Sequence, residues 1–131
     1  MGAWDTTAFG NDDAADFALD LIESAQPLAL LTDTLARAKQ SDYLEAPDGS
    51  QMVAAAATVA AACSGTTTHL TTELQTWIAG REIDLKPLAQ TAALALQRVR
   101  GENSELNELW QEGDDGSAWL QELERIAAGL G

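Results

Sequence analysis

Glycine and proline residues divide this sequence into segments about as long as a helix. Apart from Gly2 and Gly131 near the ends, they stand at positions 10, 27, 47, 49, 65, 80, 87, 101, 113, 116 and 129. Between them, apolar residues recur at helical spacing, and no stretch alternates apolar and polar residues long enough to predict a strand. The sequence therefore predicts an all-α fold, a compact irregular or orthogonal bundle of about six to seven helices. Residues 1–131 show no internal repeat or composition shift, so we expect a single helical domain.

The first predicted helix is divided into an apolar face and an acidic face. It begins after Asn11, a favourable N-cap, and runs to about Ser24, with Asp12 and Asp13 in its first turn. At the helical repeat, an apolar arc is formed by Ala14, Phe17, Ala18, Leu21, Ile22 and Ala25. The remaining face carries a stripe of four carboxylates: Asp12, Asp16, Asp20 and Glu23. We expect the arc to lie in the core and the stripe to face water.

Six further helices are predicted from caps, stop signals and apolar periodicity. The second covers residues 27–39 and the third about 50–64. The fourth has Thr72 and Gln75 at capping-box spacing and ends before Gly80, and the fifth lies between Pro87 and Gly101. Asn103 or Ser104 caps the sixth, and the turn at residues 113–116 leads to the seventh. Inward positions are assigned to Leu28, Leu31, Leu35, Leu88, Ala92, Ala95, Leu96, Val99, Leu106, Leu109, Trp110, Trp119, Leu120, Leu123 and Ile126, and Leu94 is expected on an outer face. Six large anchors should supply much of the core's bulk: Trp4, Phe9, Phe17, Trp77, Trp110 and Trp119.

The chain carries 21 Asp and Glu against seven Lys and Arg, a formal net charge of -14. Such a field repels phosphate backbones and anionic membrane surfaces, so neither direct nucleic-acid binding nor membrane binding is expected. The same field attracts basic proteins and speeds their association. The alternative is that the charge only keeps a small protein soluble and monomeric.

Cys63 is the only cysteine, so no intramolecular disulfide forms, and it falls in an alanine-rich run where a small buried hydrophobe fits. Residues 1–11 lack the basic leader and apolar core of a signal peptide. The longest apolar run, residues 52–63, is too short to span a bilayer. These features predict a cytoplasmic protein.

The residues needed for several kinds of chemistry are scarce. His69 is the only imidazole, and His69 with Glu73 at i, i+4 spacing supplies too few ligands for a helical di-iron site. One Cys and one His cannot close a structural zinc site, and no acidic cluster has EF-hand spacing. Carboxylates are plentiful, but nothing singles out an acid–base pair. We therefore assign no catalytic, cofactor-binding or metal-binding residue, and no cofactor.

Two acidic stripes are candidates for an interaction surface that receives Lys or Arg side chains. The first is the one on the opening helix, and the second consists of Glu105, Glu108 and Glu112, beside Asp114 and Asp115. The alternative for each stripe is the ordinary solvated face of an amphipathic helix.

The opening segment MGAWDTTAFGNDDAADF resembles the start of a bacterial family, domain of unknown function 4259. The matching residues are Gly2, Trp4, Phe9, Asn11, Asp12, Ala14, Asp16 and Phe17. Later segments, including YLEA at residues 43–46 and SELNELW ending at Trp110, extend the resemblance over nearly the whole chain. Family members commonly have glycines where this chain has Asp5 and Thr7, so its lead is expected to differ in backbone detail. The resemblance implies no activity, cofactor or catalytic residue.

The residues favour a non-enzymatic interaction protein, such as an immunity or antitoxin-like protein that covers a basic partner with its acidic faces. One alternative is an enzyme that uses carboxylates in a cleft. Another is a mimic of duplex DNA, which requires carboxylates spaced like phosphates along an extended surface. Self-association through an apolar patch near Leu94 is also open, and the sequence leaves the oligomeric state undetermined.

Overall fold

A computed structural model describes residues 6–40, 42–80 and 84–130. Within these ranges the chain forms seven α-helices and no strand, which confirms the prediction of an all-α bundle. The helices are α1 (Asp12–Glu23), α2 (Pro27–Leu35), α3 (Ala46–Ser64), α4 (Thr72–Ala79), α5 (Ala89–Val99), α6 (Glu105–Glu112) and α7 (Gly116–Gly129). Short 3₁₀ turns, Ala36–Lys39 and Lys86–Leu88, extend the end of α2 and precede α5.

Helix α3 lies at the centre of the bundle because its small side chains allow close approach from every direction. Its buried residues run almost without interruption from Gly49 to Ala61, and it contacts α1, α2, α5, α6 and α7. At the contact with α7, a Cβ added to Gly129 would lie 3.2 Å from the Cβ of Ala60. The alanine-rich segment therefore acts as a packing surface for five other helices.

The helix ends follow local capping chemistry. Asn11 Oδ1 accepts a hydrogen bond of 2.8 Å from the Ala14 N–H, which confirms the predicted start of α1. Gly65 ends α3 in the left-handed region, with a φ of 79°, as a C-terminal glycine often does. The cap of α4 is Thr71 and not Thr72, since the Thr71 hydroxyl accepts the Leu74 N–H.

Helix α3 begins at Ala46, four positions earlier than predicted, because Pro47 occupies the first turn, where its missing N–H does no harm. Helix α2 ends at Leu35, and the last predicted residues tighten into a 3₁₀ turn. Pro87 likewise lies in a 3₁₀ turn and α5 starts at Ala89, while Ser104 provides the side-chain cap of α6.

Most inward positions are buried as predicted, but Leu88 and Leu120 are only partly buried, and Leu28 and Leu109 are exposed. Leu109 is 46% exposed: Leu106 and Trp110 face the bundle, and Leu109 projects about 100° from Trp110 around the axis. Leu28 is 47% exposed because it lies in the first turn of α2, where its neighbours leave it uncovered, and Ala25 falls outside α1 and is also exposed. Leu94 is exposed, as expected.

Of the five predicted aromatic anchors that the structure describes, three are buried. Phe17, Trp77 and Trp119 are buried, whereas Phe9 and Trp110 are partly buried against the core, with Trp110 stacked on Trp119 at 6.4 Å between ring centroids. Trp4 lies outside the described residues. The largest fully buried side chains are aliphatic: Leu21, Leu31, Leu35, Met52, Leu74, Leu123, Ile126, Val59 and Val99.

Candidate interaction surface

The acidic stripe of α1 faces water along its whole length. Asp12, Asp16, Asp20 and Glu23 are all exposed, while the opposite face of the helix buries Ala14, Phe17, Ala18 and Leu21. Within residues 6–40, 42–80 and 84–130, none of the four carboxylates has an ion-pair partner. The chain has no Lys or Arg before Arg37, so no cation on α1 or α2 offsets this charge. We call these four residues the α1 stripe.

Leu19 lies at the edge of the α1 stripe and was not among the predicted surface residues. Its side chain is 51% exposed, more than that of any other large hydrophobic residue in the described ranges. At about 100° per residue it projects within about 60° of Asp12, Asp16 and Glu23. The signal was present in the sequence, since Leu19 falls outside the apolar arc that the same repeat defines. The outer face of α1 is therefore mixed, with an exposed apolar side chain beside the carboxylates.

The second predicted stripe, on α6, is partly used to hold the fold together. Glu105 Oε1 accepts a hydrogen bond of 2.7 Å from the Ala46 N–H, and Glu108 Oε1 accepts one of 2.9 Å from the Tyr43 hydroxyl. The Leu44 N–H donates to the Asn103 carbonyl, and the Glu105 N–H donates to the Leu44 carbonyl, each at 2.8 Å. These contacts attach the segment before α3 to the start of α6.

The pKa of Tyr43 depends on this contact between the two segments. Its hydrogen bond to the Glu108 carboxylate, together with a smaller effect of burial and repulsion by nearby carboxylates, raises the pKa of the phenol to about 12. The phenolic proton stays on the oxygen because an ionised phenolate would face the carboxylate at hydrogen-bond distance.

Arg98 reinforces the same junction from α5. Its guanidinium donates to the carbonyls of Gln40, Asp42, Glu102 and Asn103, at distances from 2.7 to 3.3 Å. Arg98 therefore binds both the segment before α3, at Gln40 and Asp42, and the segment before α6, at Glu102 and Asn103. Of the predicted second surface, Glu112, Asp114 and Asp115 remain exposed without a described ion pair.

The ion pairs of the described residues lie outside the α1 stripe. Arg37 pairs with Asp48 at 3.3 Å, and Arg100 pairs with Glu124 at 3.7 Å. Arg125 donates two hydrogen bonds of 2.8 Å to the Glu122 carboxylate, from Nε and Nη2. The structure thus neutralises acidic groups elsewhere in the molecule.

The scarce reactive side chains are scattered. His69 and Glu73 are exposed, and the described residues contain no group of three or more His, Cys, Asp or Glu that could hold a metal ion. Cys63 is half-buried near the end of α3, and burial raises the pKa of its thiol. The thiol is therefore a poor nucleophile at neutral pH.

A cavity of about 280 Å³ opens between the end of α3, the loop before α4 and the last turns of α7. Its polar lining includes Ser64, His69 and Arg125, and no carboxylate is among the described residues that line it. Nearby Glu122 is only 12% exposed. Burial opposes its ionisation, but hydrogen bonds from Arg125 and the Ala8 N–H outweigh this effect and lower its pKa. Glu122 is thus a structural anion.

Comparison with known proteins identifies the family of the chain. A family model described as "Domain of unknown function (DUF4259)" matches residues 2–122, so the chain belongs to this family. No curated protein and no solved structure matches it. No helix in the described ranges is long and apolar enough to cross a membrane. The match includes the α1 stripe but ends before Arg125, Ile126, Ala128 and Gly129, which line the cavity.

Proposed function

We propose that this member of the DUF4259 family is a non-enzymatic interaction domain that binds a basic protein through the α1 stripe. The observation that carries the proposal is a row of exposed carboxylates for which the described residues offer no ion-pair partner. A basic partner would supply the missing cations, and its encounter would be accelerated by the net charge of -14.

The stripe is also unfavourable for the helix that carries it. Asp12, Asp16 and Asp20 repeat at i, i+4, a spacing at which like charges destabilise a helix by about 0.2–0.5 kcal/mol per pair. Glu23 is the last residue of α1, where the helix dipole disfavours a negative charge by about 0.3–1 kcal/mol. Only Asp12 gains from the dipole, in the first turn. A charge pattern that weakens its own helix favours a role outside folding.

An immunity or antitoxin-like role is the specific form of this proposal. In that role the partner is a basic toxin whose active surface the α1 stripe covers, and the inhibitor needs no catalytic residue of its own. A cytoplasmic location remains a prediction from the sequence. Co-expression with a basic protein encoded beside this chain tests the role, because the chain should then suppress that protein's toxicity.

Two triple variants with equal loss of charge test the stripe itself. The first replaces Asp16→Asn, Asp20→Asn and Glu23→Gln, and the second replaces Glu112→Gln, Asp114→Asn and Asp115→Asn. The probe is a short lysine-rich peptide with a fluorescent label, and binding is followed by anisotropy at low salt. With about 0.5 kcal/mol lost per exposed charge pair, the first variant should bind about tenfold more weakly.

The second variant separates a defined site from the general field of the molecule. Both variants remove three negative charges, so a pure field effect would weaken binding equally in each. Equal weakening, or no binding of the peptide to the unmodified chain at low salt, would contradict the proposal. Circular dichroism confirms that each variant keeps its helical content.

The two alternative functions have less support. An enzyme that uses a carboxylate as a proton donor needs a raised pKa, whereas the pKa of Glu122 is lowered. A mimic of duplex DNA needs two extended rows of charges, and the α1 stripe is one row of about 16 Å at about 1.5 Å per residue. Competition between the chain and duplex DNA for a DNA-binding protein would detect the second alternative.

A further inference from the structure

We infer that the partner presents a basic amphipathic helix, whose apolar face packs on Leu19 and Leu28 while its lysines and arginines meet the α1 stripe. The inference rests on the proposed function and specifies its partner. It starts from the position of these two leucines, both exposed and both in the segment that lacks cations.

Leu19 forms the centre of the first contact. Its exposed side chain stands in the same face as the carboxylates of Asp12, Asp16 and Glu23. Its neighbours on the helix surface are Asp16 and Glu23 on one side and Ala15 and Ile22 on the other. An apolar anchor bordered by charged groups matches the general arrangement of protein interfaces, in which a desolvated centre meets a polar rim. A partner that offered only positive charge would leave Leu19 in water.

Leu28 forms the second contact, immediately after the turn that follows α1. A shallow, open depression lies here on α2, lined by Gln26, Pro27, Leu28, Ala29, Thr32 and Asp33. Its walls are largely apolar, and its one charged described residue is Asp33. The lining begins at Gln26, three positions after Glu23 at the end of the α1 stripe, and helices α1 and α2 contact each other.

Charge complementarity selects the occupant of this surface. From Asp12 to Ala36 the chain has six acidic residues and no Lys or Arg, so the covering segment must be basic. The two leucines require apolar groups on that same segment. A helix satisfies both demands, because residues three and four apart share a face while the flanking positions carry charge. A second copy of this chain would oppose carboxylates to carboxylates in a two-fold contact.

Two synthetic peptides of identical composition provide the first test. One places leucines at i, i+3, i+4 and i+7 with lysines on both flanks, and the other scatters the same residues so that no apolar face forms. Fluorescence anisotropy at matched salt measures the affinity of each for the full chain. Burying one or two leucines should make the amphipathic peptide bind about tenfold more tightly than the scattered one.

Matched leucine substitutions locate the contact. The test variant carries Leu19→Ala and Leu28→Ala, and the control variant carries Leu94→Ala and Leu109→Ala, whose side chains are equally exposed on α5 and α6. All four leucines lie on the surface, so each variant should keep the fold. The test variant should lose the tenfold preference between the peptides, and the control variant should keep it.

The outcomes separate this inference from the proposed function. If both peptides bind with equal affinity and the α1 charge variant weakens both, the proposed function stands and the amphipathic partner is wrong. If neither peptide binds at low salt, both proposals fail. If sedimentation shows a dimer that Leu19→Ala and Leu28→Ala dissociate, the occupant is a second copy of the chain and the inference is overturned.

Discussion

The stripes of α1 and α6 both consist of carboxylates three or four residues apart, yet they differ in what those carboxylates contact. On α6, Glu105 and Glu108 accept hydrogen bonds from the segment that leads into α3. On α1, the described residues supply no ion-pair partner to any carboxylate of the stripe. Periodicity therefore identifies an outer face but not whether the fold itself uses that face.

The difference also separates two energetic roles of surface charge. The Glu105 and Glu108 carboxylates of α6 stabilise the native state, because each accepts a hydrogen bond from a group of the segment before α3. Those of α1 repel one another and, at Glu23, oppose the helix dipole. Substitutions should therefore move stability in opposite directions at the two stripes.

Arg98→Ala should give the largest effect, because Arg98 fastens both segments beside the α6 stripe. Loss of its bonds to four carbonyls is expected to lower the free energy of unfolding by about 2–3 kcal/mol. Urea denaturation followed by circular dichroism measures the change. Arg100→Ala is the control: its ion pair with Glu124 is exposed, and less than about 1 kcal/mol should be lost. If both variants lost a similar free energy of unfolding, Arg98 would not be what holds the two segments beside the α6 stripe together.

Glu105→Ala should destabilise the chain by about 1–2 kcal/mol, since the Ala46 N–H loses its acceptor at the start of α3. Asp16→Ala on α1 should change stability by less than about 0.5 kcal/mol, because no fold contact depends on it. The same urea titration compares the two variants. An equal loss at both positions would abolish the distinction between the stripes.

Acidification should reveal a further carboxylate that the fold uses. The pKa of Glu122 is lowered from its ordinary value of 4.5, so its stabilisation is fully present above pH 4.5 and is lost as pH falls through the folded-state pKa. We expect Glu122→Gln to be less stable at neutral pH, and to lose less stability than the unmodified chain between pH 5 and pH 3. Thermal unfolding across this range is the measurement. Parallel pH profiles for the two proteins would contradict the assignment.

The triple α1 variant, Asp16→Asn, Asp20→Asn and Glu23→Gln, should be more stable than the unmodified chain while it binds basic peptide more weakly. Relief of repulsion and of the unfavourable dipole contact should add about 0.5–1 kcal/mol at low salt. High salt should reduce this gain, because exposed charges are screened over about 10 Å at 0.1 M. A destabilised triple variant would indicate that the stripe serves the fold after all.

The smallest expected effect is a change in the pKa of Tyr43, which depends on its hydrogen bond to Glu108 of α6. Tyr43 is the only tyrosine, so absorbance titration follows a single phenol. Its pKa should be about 12 and should return toward 10 in Glu108→Gln, which removes the charged acceptor. In Asp20→Asn the value should stay near 12. A pKa near 10 in the unmodified chain would mean that the Tyr43–Glu108 contact is absent in solution.

Sequence patterns located α1 closely, because its cap, its acidic first turn and its apolar arc all depend on residues near in the chain. They were less accurate where two signals compete. Pro47 fits both a loop and the first turn of a helix, and the early start of α3 depends on contacts with α6. Leu28 and Leu109 were predicted to face inward but are exposed, because the helical repeat does not show which turns other helices cover.

The sequence by itself determined the helical class, most helix ends and the outward direction of both acidic stripes, since each follows from a local repeat or a capping side chain. Tertiary structure decided which stripe has partners. The hydrogen bonds of Glu105 and Glu108 join residues about 60 positions apart, and no local pattern encodes such a pairing. The same packing left Leu19 and the carboxylates of α1 facing water, because α1 buries only the opposite side of its surface.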